Sequence, residues 1–220
     1  MSEKAESSCS ECGMLNCYRH DKRYPDFCLT ENMTPEEKQG IRDLYQGAEA
    51  DIARIAAEVE GTFYGKICRV EETIAFASRI GAKKIGIATC LGLVEETRVL
   101  VKILHQAGFE TVAALCKVGS LDKTEMGVPE DLKLKKGGFE AACNPVLQAK
   151  MLNDRKTDLN VVMGLCVGHD SLFYRHSEAP ATTLVAKDRL MGHNPVAALY
   201  TVRFYSSRLL DKTHLDSLKP

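Results

Sequence analysis

The 220-residue sequence has no excess of charge, no long apolar run and no nucleotide-binding glycine loop, and each absence removes a class of function. Its 29 Lys and Arg residues balance 30 Asp and Glu residues. A formal charge of −1 offers no electrostatic reason for a nucleic-acid or anionic-membrane partner. The longest stretch without Asp, Glu, Lys or Arg is 13 residues, Leu190–Val202. A spanning helix needs about 20 apolar residues, so no membrane partner is expected. The start, Met1-Ser2-Glu3-Lys4-Ala5-Glu6, holds no apolar h-region, so the expectation is a cytoplasmic protein without a signal peptide. Thr89-Cys90-Leu91-Gly92 is neither a dinucleotide fingerprint nor a P-loop, which argues against NAD and ATP.

What the sequence does have is nine cysteines. In a reducing compartment they serve metals or chemistry more often than disulfides, and an odd number cannot pair completely within one chain. Four of them, Cys9, Cys12, Cys17 and Cys28, fall in residues 1–33 in a C-x2-C-x4-C-x10-C pattern. The residues between them are turn formers and charges, with too few bulky apolar groups to order the segment by burial. Four thiolates converging on one metal would supply the missing folding free energy. Zinc and an iron–sulfur cluster both accept four cysteines, and this spacing does not separate them. His20 could replace one cysteine as a ligand.

The remainder, residues 34–220, is expected to be an α/β domain: helical over 34–81, with a mainly parallel sheet flanked by helices over 82–220. Thr34-Pro35-Glu36-Glu37 predicts an N-cap, a proline at the first helical position and a capping box. An apolar stripe then runs from Ile41 to Val59, ended by Gly61. It would serve equally as a homodimer surface or as internal packing. A second helix spans about 67–80, and Cys68 within it reads as a small packing residue. Strands are predicted over Lys84–Cys90, Thr111–Cys116, Asn160–Cys166 and Thr182–Ala186, alternating with helices over 93–107, from Pro145 to about Asp154, and from Pro195. The segment Lys117–Glu140 is long enough to suggest a lid. Whether Tyr200–Tyr205 continues the last helix or adds a strand stays open.

Ligands of open parallel sheets bind beyond the carboxyl ends of the strands. That edge would carry Cys90, then Cys116 and Lys117, then Cys166, His169 and Asp170, then Lys187, Asp188 and Arg189. Two helix starts add Cys143-Asn144-Pro145 and His193-Asn194-Pro195. Asn as N-cap before Pro would place the thiol or imidazole at a positive helix end, favouring a thiolate or a bound anion. The chain steps from Cys90 through Cys116, Cys143 and Cys166 to His193 are 26, 27, 23 and 27 residues. Each is close to one βα unit, so the fold could return every group to one edge.

Several thiolates around a pocket favour a soft metal over a hard cation. The first expectation is therefore an iron–sulfur- or zinc-dependent enzyme acting on a small anionic substrate. Cys90, Cys116, Cys143 and Cys166 would hold the metal or cluster, His169 and Asp170 would do acid–base work, and Lys117, Lys187 and Arg189 would orient the anion. Asp188 and His193 complete the candidate catalytic set. One alternative is a metal-binding or metal-delivery protein without catalysis. Another keeps only a structural N-terminal metal and makes Cys143 or Cys166 a nucleophile, with His169 or His193 as base.

Together with the four-cysteine N-terminus, four strings carry a resemblance: Cys143-Asn144-Pro145, Gly164-Leu165-Cys166-Val167-Gly168-His169-Asp170-Ser171-Leu172-Phe173, Lys187-Asp188-Arg189 and Gly192-His193-Asn194-Pro195. The chain resembles a microbial, cysteine-rich family of unknown function whose members are described as predicted metal-binding proteins. The resemblance spans essentially the whole chain, and the Gly164–Phe173 string is its most specific part. It implies metal binding and a prokaryotic, cytoplasmic setting, and it supplies no reaction.

Overall fold

A computed structural model describes residues 9–21 and 23–219. The first six residues, on which the expectation about a signal peptide rests, lie outside them. The chain forms two compact units that part between Glu58 and Val59.

In the first unit a 3-10 turn at Cys9–Glu11 is followed by α1 (Asn16–Arg19), α2 (Pro35–Leu44) and most of α3 (Ala48–Phe63). The start of α2 follows from its sequence. Thr34 Oγ1 accepts the Glu37 N–H at 3.1 Å, and the Glu37 carboxylate accepts the Thr34 N–H at 2.7 Å. The single helix expected over this stretch is two helices. The apolar period runs on through the break, so the stripe does not reveal that Gly47, at φ 57°, turns the chain. Nor does Gly61 stop α3, because a helical glycine costs only about 1 kcal/mol. Ile41, Leu44 and Tyr45 of the stripe are exposed, whereas Ile55 and Val59 are buried.

The second unit runs through α4 (Arg69–Arg79), β1 (Lys84–Thr89), α5 (Val94–Gln106), β2 (Glu110–Leu115), α6 (Pro145–Asp154), β3 (Leu159–Met163), α7 (His169–His176), β4 (Ala181–Val185), α8 (Val196–Tyr200) and α9 (Lys212–Asp216). The four strands make an all-parallel sheet in the order β2-β1-β3-β4. Period-two alternation splits β1 between two cores. Ile85 and Ile87 pack with Leu100, Leu104, Leu159 and Val161, whereas Ala88 and Cys90 pack with Ala149, Leu152, Val162 and Phe173. Helices therefore cover both faces, as parallel strands with no polar side require.

Close packing leaves no room for a side chain at Gly86, where a Cβ would lie 2.0 Å from Asn160 Oδ1. Asn160 is fully buried and satisfied, accepting from Thr157 Oγ1 at 2.8 Å and donating to Ser177 Oγ at 2.8 Å.

Three further expectations need correction. The segment after β2, expected as a plain polar loop, has local structure. It holds 3-10 turns at Lys123–Met126 and Glu130–Leu132, and its ends meet at an antiparallel Asp122–Ala141 bridge. Within it the buried Lys133 ammonium reaches Asp122 at 2.7 Å, Glu130 at 2.8 Å and the Gly138 carbonyl at 3.1 Å. The helix expected from Pro195 is only the five residues of α8, and the Asn194 side chain does not cap it. Tyr200 ends that helix, and Thr201–Tyr205 forms turns beyond it, neither helix nor strand. Cys68, expected to pack, is exposed at the N-cap of α4, where the Glu71 carboxylate accepts its N–H at 2.8 Å.

The chain leaves β1 for β2 on one side and returns to β3 on the other. The crevice beyond the carboxyl ends of β1 and β3 is thus the topological switch point.

Candidate functional site

The sheet ladder continues past the strands and brings the cysteines together. The Cys90 N–H donates to the Met163 carbonyl at 3.0 Å and the Cys116 N–H to the Thr89 carbonyl at 2.8 Å. The Asn144 N–H then donates to the Cys116 carbonyl at 2.8 Å, laying Cys143 and Asn144 alongside Cys116. Asn144 Oδ1 accepts the Leu147 N–H at 3.0 Å and Pro145 opens α6, as the Asn-Pro pair predicts. Gln148, fully buried one turn into α6, donates to the carbonyls of Thr89 at 3.2 Å and Ala114 at 2.7 Å. Its amide joins the last turns of β1 and β2 at the edge where the thiols lie. Sequence reasoning passed over Gln148; the available signal was a polar residue on the helix face it shares with Pro145, Ala149 and Leu152.

Cys116 is buried and Cys143 half-buried. The neighbouring Cys116 thiol, followed by the Lys117 ammonium, lowers Cys143 to about 5 against the opposing effect of burial. Lys117 Nζ stands 3.4 Å from Cys143 Sγ and is anchored by the Ala141 carbonyl at 2.6 Å. The adjacent Cys143, and then burial, raise Cys116 far above an ordinary thiol. Its sulfur also accepts the Leu91 N–H at 3.3 Å. One thiol of the pair carries the charge and the other keeps the proton.

The third member of the edge is a cation–sulfur pair, Arg189 Nη2 donating to Cys166 Sγ at 3.0 Å. That contact holds the guanidinium protonated, and Cys90 and Cys143 lie near enough to add to the effect. Lys187 joins from the end of β4, since a Cβ on Gly92 would lie 3.6 Å from its Nζ. His169 opens α7, an element the polar Val167–Ser171 string hides, and its buried Nδ1 has no hydrogen-bond partner.

Three predicted residues are committed elsewhere. Asp170 Oδ1 accepts the N–H groups of Gly168 at 3.0 Å and Ser171 at 2.8 Å, so it folds back on the first turn of α7. Asp188 Oδ1 accepts from Leu190 at 3.0 Å and Met191 at 2.8 Å. His193 Nδ1 accepts the Asp188 N–H at 3.2 Å, closing the same loop. Asp170, Asp188 and His193 shape the backbone around the edge.

In the first unit, Cys9, Cys12, Cys17 and Cys28 line one small cavity of about 50 Å³ together with Leu15, Tyr24 and Phe27. Cys12 Sγ accepts the Leu15 N–H at 3.4 Å, the kind of backbone support a thiolate ligand uses. Among the described residues, no carboxylate or ammonium lines the cavity. Its donor set suits zinc or an iron–sulfur cluster. Among the described residues, no group of three or more His, Cys, Asp or Glu is already closed to metal-ligand spacing, here or at the sheet edge. No helix of the described residues is long and apolar enough to cross a membrane.

Residues 28–184 match the family described as "Protein of unknown function (DUF1847)". That span holds the Cys90, Cys116, Cys143, Cys166 and His169 edge and, of the N-terminal four, Cys28 alone. An uncharacterized protein of Methanocaldococcus jannaschii is 41% identical over 203 residues, covering 92% of this chain and 98% of its own length.

Proposed function

The chain belongs to the DUF1847 family, whose description names no reaction, and from its sheet edge we propose a cysteine-dependent enzyme acting on a small anionic substrate. Cys143 is the nucleophile in this reading. The observation that carries it is the setting of one half-buried sulfur between a thiol donor, Cys116, and an ammonium, Lys117. Such surroundings hold a thiolate at neutral pH, which is the reactive form. Lys117, Lys187 and Arg189 give the crevice three cations to orient an anion. His169 Nδ1, without a protein partner, is the group placed to exchange a proton with substrate.

The four N-terminal cysteines hold a zinc ion or an iron–sulfur cluster in the same proposal. Bound there, the metal would supply folding free energy to a segment with little core of its own. The support is one cavity lined by all four thiols.

The test is alkylation of the full-length, anaerobically prepared protein by iodoacetamide across pH, read residue by residue by mass spectrometry, alongside elemental analysis and visible absorption. Cys143 should react at a rate that is half-maximal near pH 5 and flat above about pH 6.5, where an ordinary thiol is still largely protonated. A Cys143 that reacts only as pH approaches 9 ends the nucleophile reading.

A second reading places a metal at the sheet edge, favoured by the unpartnered His169 Nδ1 beside several thiols. It requires metal content to fall in Cys143→Ser, whereas the first reading ties metal content to Cys12. Readily exchangeable metal and a slow, ordinary Cys143 would point instead to metal delivery without catalysis.

A further inference from the structure

Cys116 and Cys143 come from different elements, yet the backbone bond from Asn144 to the Cys116 carbonyl sets them side by side in one packed cluster. Their access to solvent is unequal, one buried and one half-buried. A nucleophile that only transferred acyl or similar groups would have no use for a second, shielded thiol packed beside it. Cations flank the reachable sulfur: Lys117 stands 3.4 Å from it, and Arg189 lies close enough to feel the Cys143 charge.

We propose that Cys143 and Cys116 act as a two-thiol couple that reduces small disulfides bearing carboxylates, Cys143 attacking and Cys116 resolving. The inference rests on the reading of Cys143 as nucleophile and adds the substrate class. In the first step the Cys143 thiolate attacks one sulfur of RS–SR. A Cys143–S–S–R bond forms, the RS–SR bond breaks, and RS⁻ leaves and takes the Cys116 proton to become RSH. In the second step the Cys116 thiolate attacks the Cys143 sulfur. The Cys116–Cys143 disulfide forms and the second RS⁻ departs, taking a proton from water. One disulfide gains two electrons and the two cysteines lose them. A dithiol reductant, itself oxidised to a disulfide, restores the pair by the reverse exchange.

The experiment gives reduced, full-length protein oxidised glutathione under anaerobic conditions and follows released glutathione with peptide mapping. The wild type should form a Cys116–Cys143 disulfide and release two glutathiones from this pair. Cys116→Ala should stop after one release, with glutathione retained on Cys143, and Cys143→Ala should release none here. Cys116→Ser checks the same arrest without emptying a buried site, and circular dichroism confirms that each variant is folded. Cystamine, a cationic disulfide, should react about tenfold more slowly than oxidised glutathione at low salt, a gap that closes as salt is added. A wild type that keeps glutathione on Cys143, or a disulfide that maps to other cysteines, overturns the couple. If Cys143 is nevertheless alkylated rapidly at pH 6, the nucleophile reading survives and the couple alone fails. A Cys143 inert to both reagents defeats the two together.

Discussion

The molecule carries two sets of four cysteines, and they are ordered by different means. At the sheet edge the thiols ride on a hydrogen-bonded ladder and on a core in which Cys90, Cys116 and Cys143 are themselves packing partners. In the N-terminal segment the thiols surround a cavity of about 50 Å³ with little apolar mass behind it. Two of them, Cys9 and Cys17, are exposed. A thiol set that the fold places can keep its sulfurs reactive, because no ligand is needed to hold them. A set the fold does not place would need a bound ligand, such as the proposed metal, to close it. Equal cysteine counts therefore mean different chemistry.

The sharpest way to break this contrast is Gly86→Ala. Its Cβ would lie 2.0 Å from the oxygen of a fully buried Asn160, and overpacking of this kind costs roughly 3 kcal/mol or more. Thermal unfolding should show that loss, and the edge thiols should all become ordinary while the N-terminal ones do not change. Chelation is the reciprocal perturbation. Stripping the metal proposed for the N-terminal thiols should open residues 9–33 to protease by an order of magnitude or more, with the alkylation rate of Cys143 unaltered. Gln148→Leu removes the donor that two edge carbonyls share, and should cost about 1–3 kcal/mol in urea unfolding and quicken labelling of Cys116. Lys117→Gln removes a cation that helps keep Cys143 ionised. Its alkylation profile should move to higher pH, slowing the reaction at pH 5 by up to about tenfold with thermal stability little changed. Cys68→Ser, at an exposed cap outside both sets, should stay within about 0.5 kcal/mol of the parent protein and leave both readouts alone.

How much of this could be read from sequence depended on whether one element or several had to agree. The parallel sheet was legible because continuous apolar runs such as Ile85–Thr89 and Leu159–Met163 have few other uses. The return of Cys90, Cys116, Cys143 and Cys166 to one edge followed from chain steps of about one βα unit. The Asn-Pro pair shows the limit of local signals. At 144–145 it opens a ten-residue helix that packs on β1 and β2, whereas at 194–195 the same dipeptide precedes a five-residue helix with no buried residue. Asp170, Asp188 and His193 show a related limit. Residue type suggests acid–base chemistry, while one oxygen of each carboxylate and Nδ1 of the imidazole also accept N–H groups of adjacent backbone, a second role that only the folded loop reveals. Pairing of Cys116 with Cys143 was beyond sequence reasoning, since it depends on one backbone bond across a 27-residue excursion.

That excursion is closed at its base. The Ala142 N–H bonds to the Leu121 carbonyl at 2.8 Å and the Lys123 N–H to the Glu140 carbonyl at 2.9 Å, so the two ends meet before the chain reaches Cys143. Chain length inside the loop is thereby uncoupled from the distance between the two sulfurs. Insertions and deletions near the exposed Gly137 can accumulate over evolution at small thermodynamic penalty, and recombinant fusions can be seated there, without shifting the register that aligns the pair.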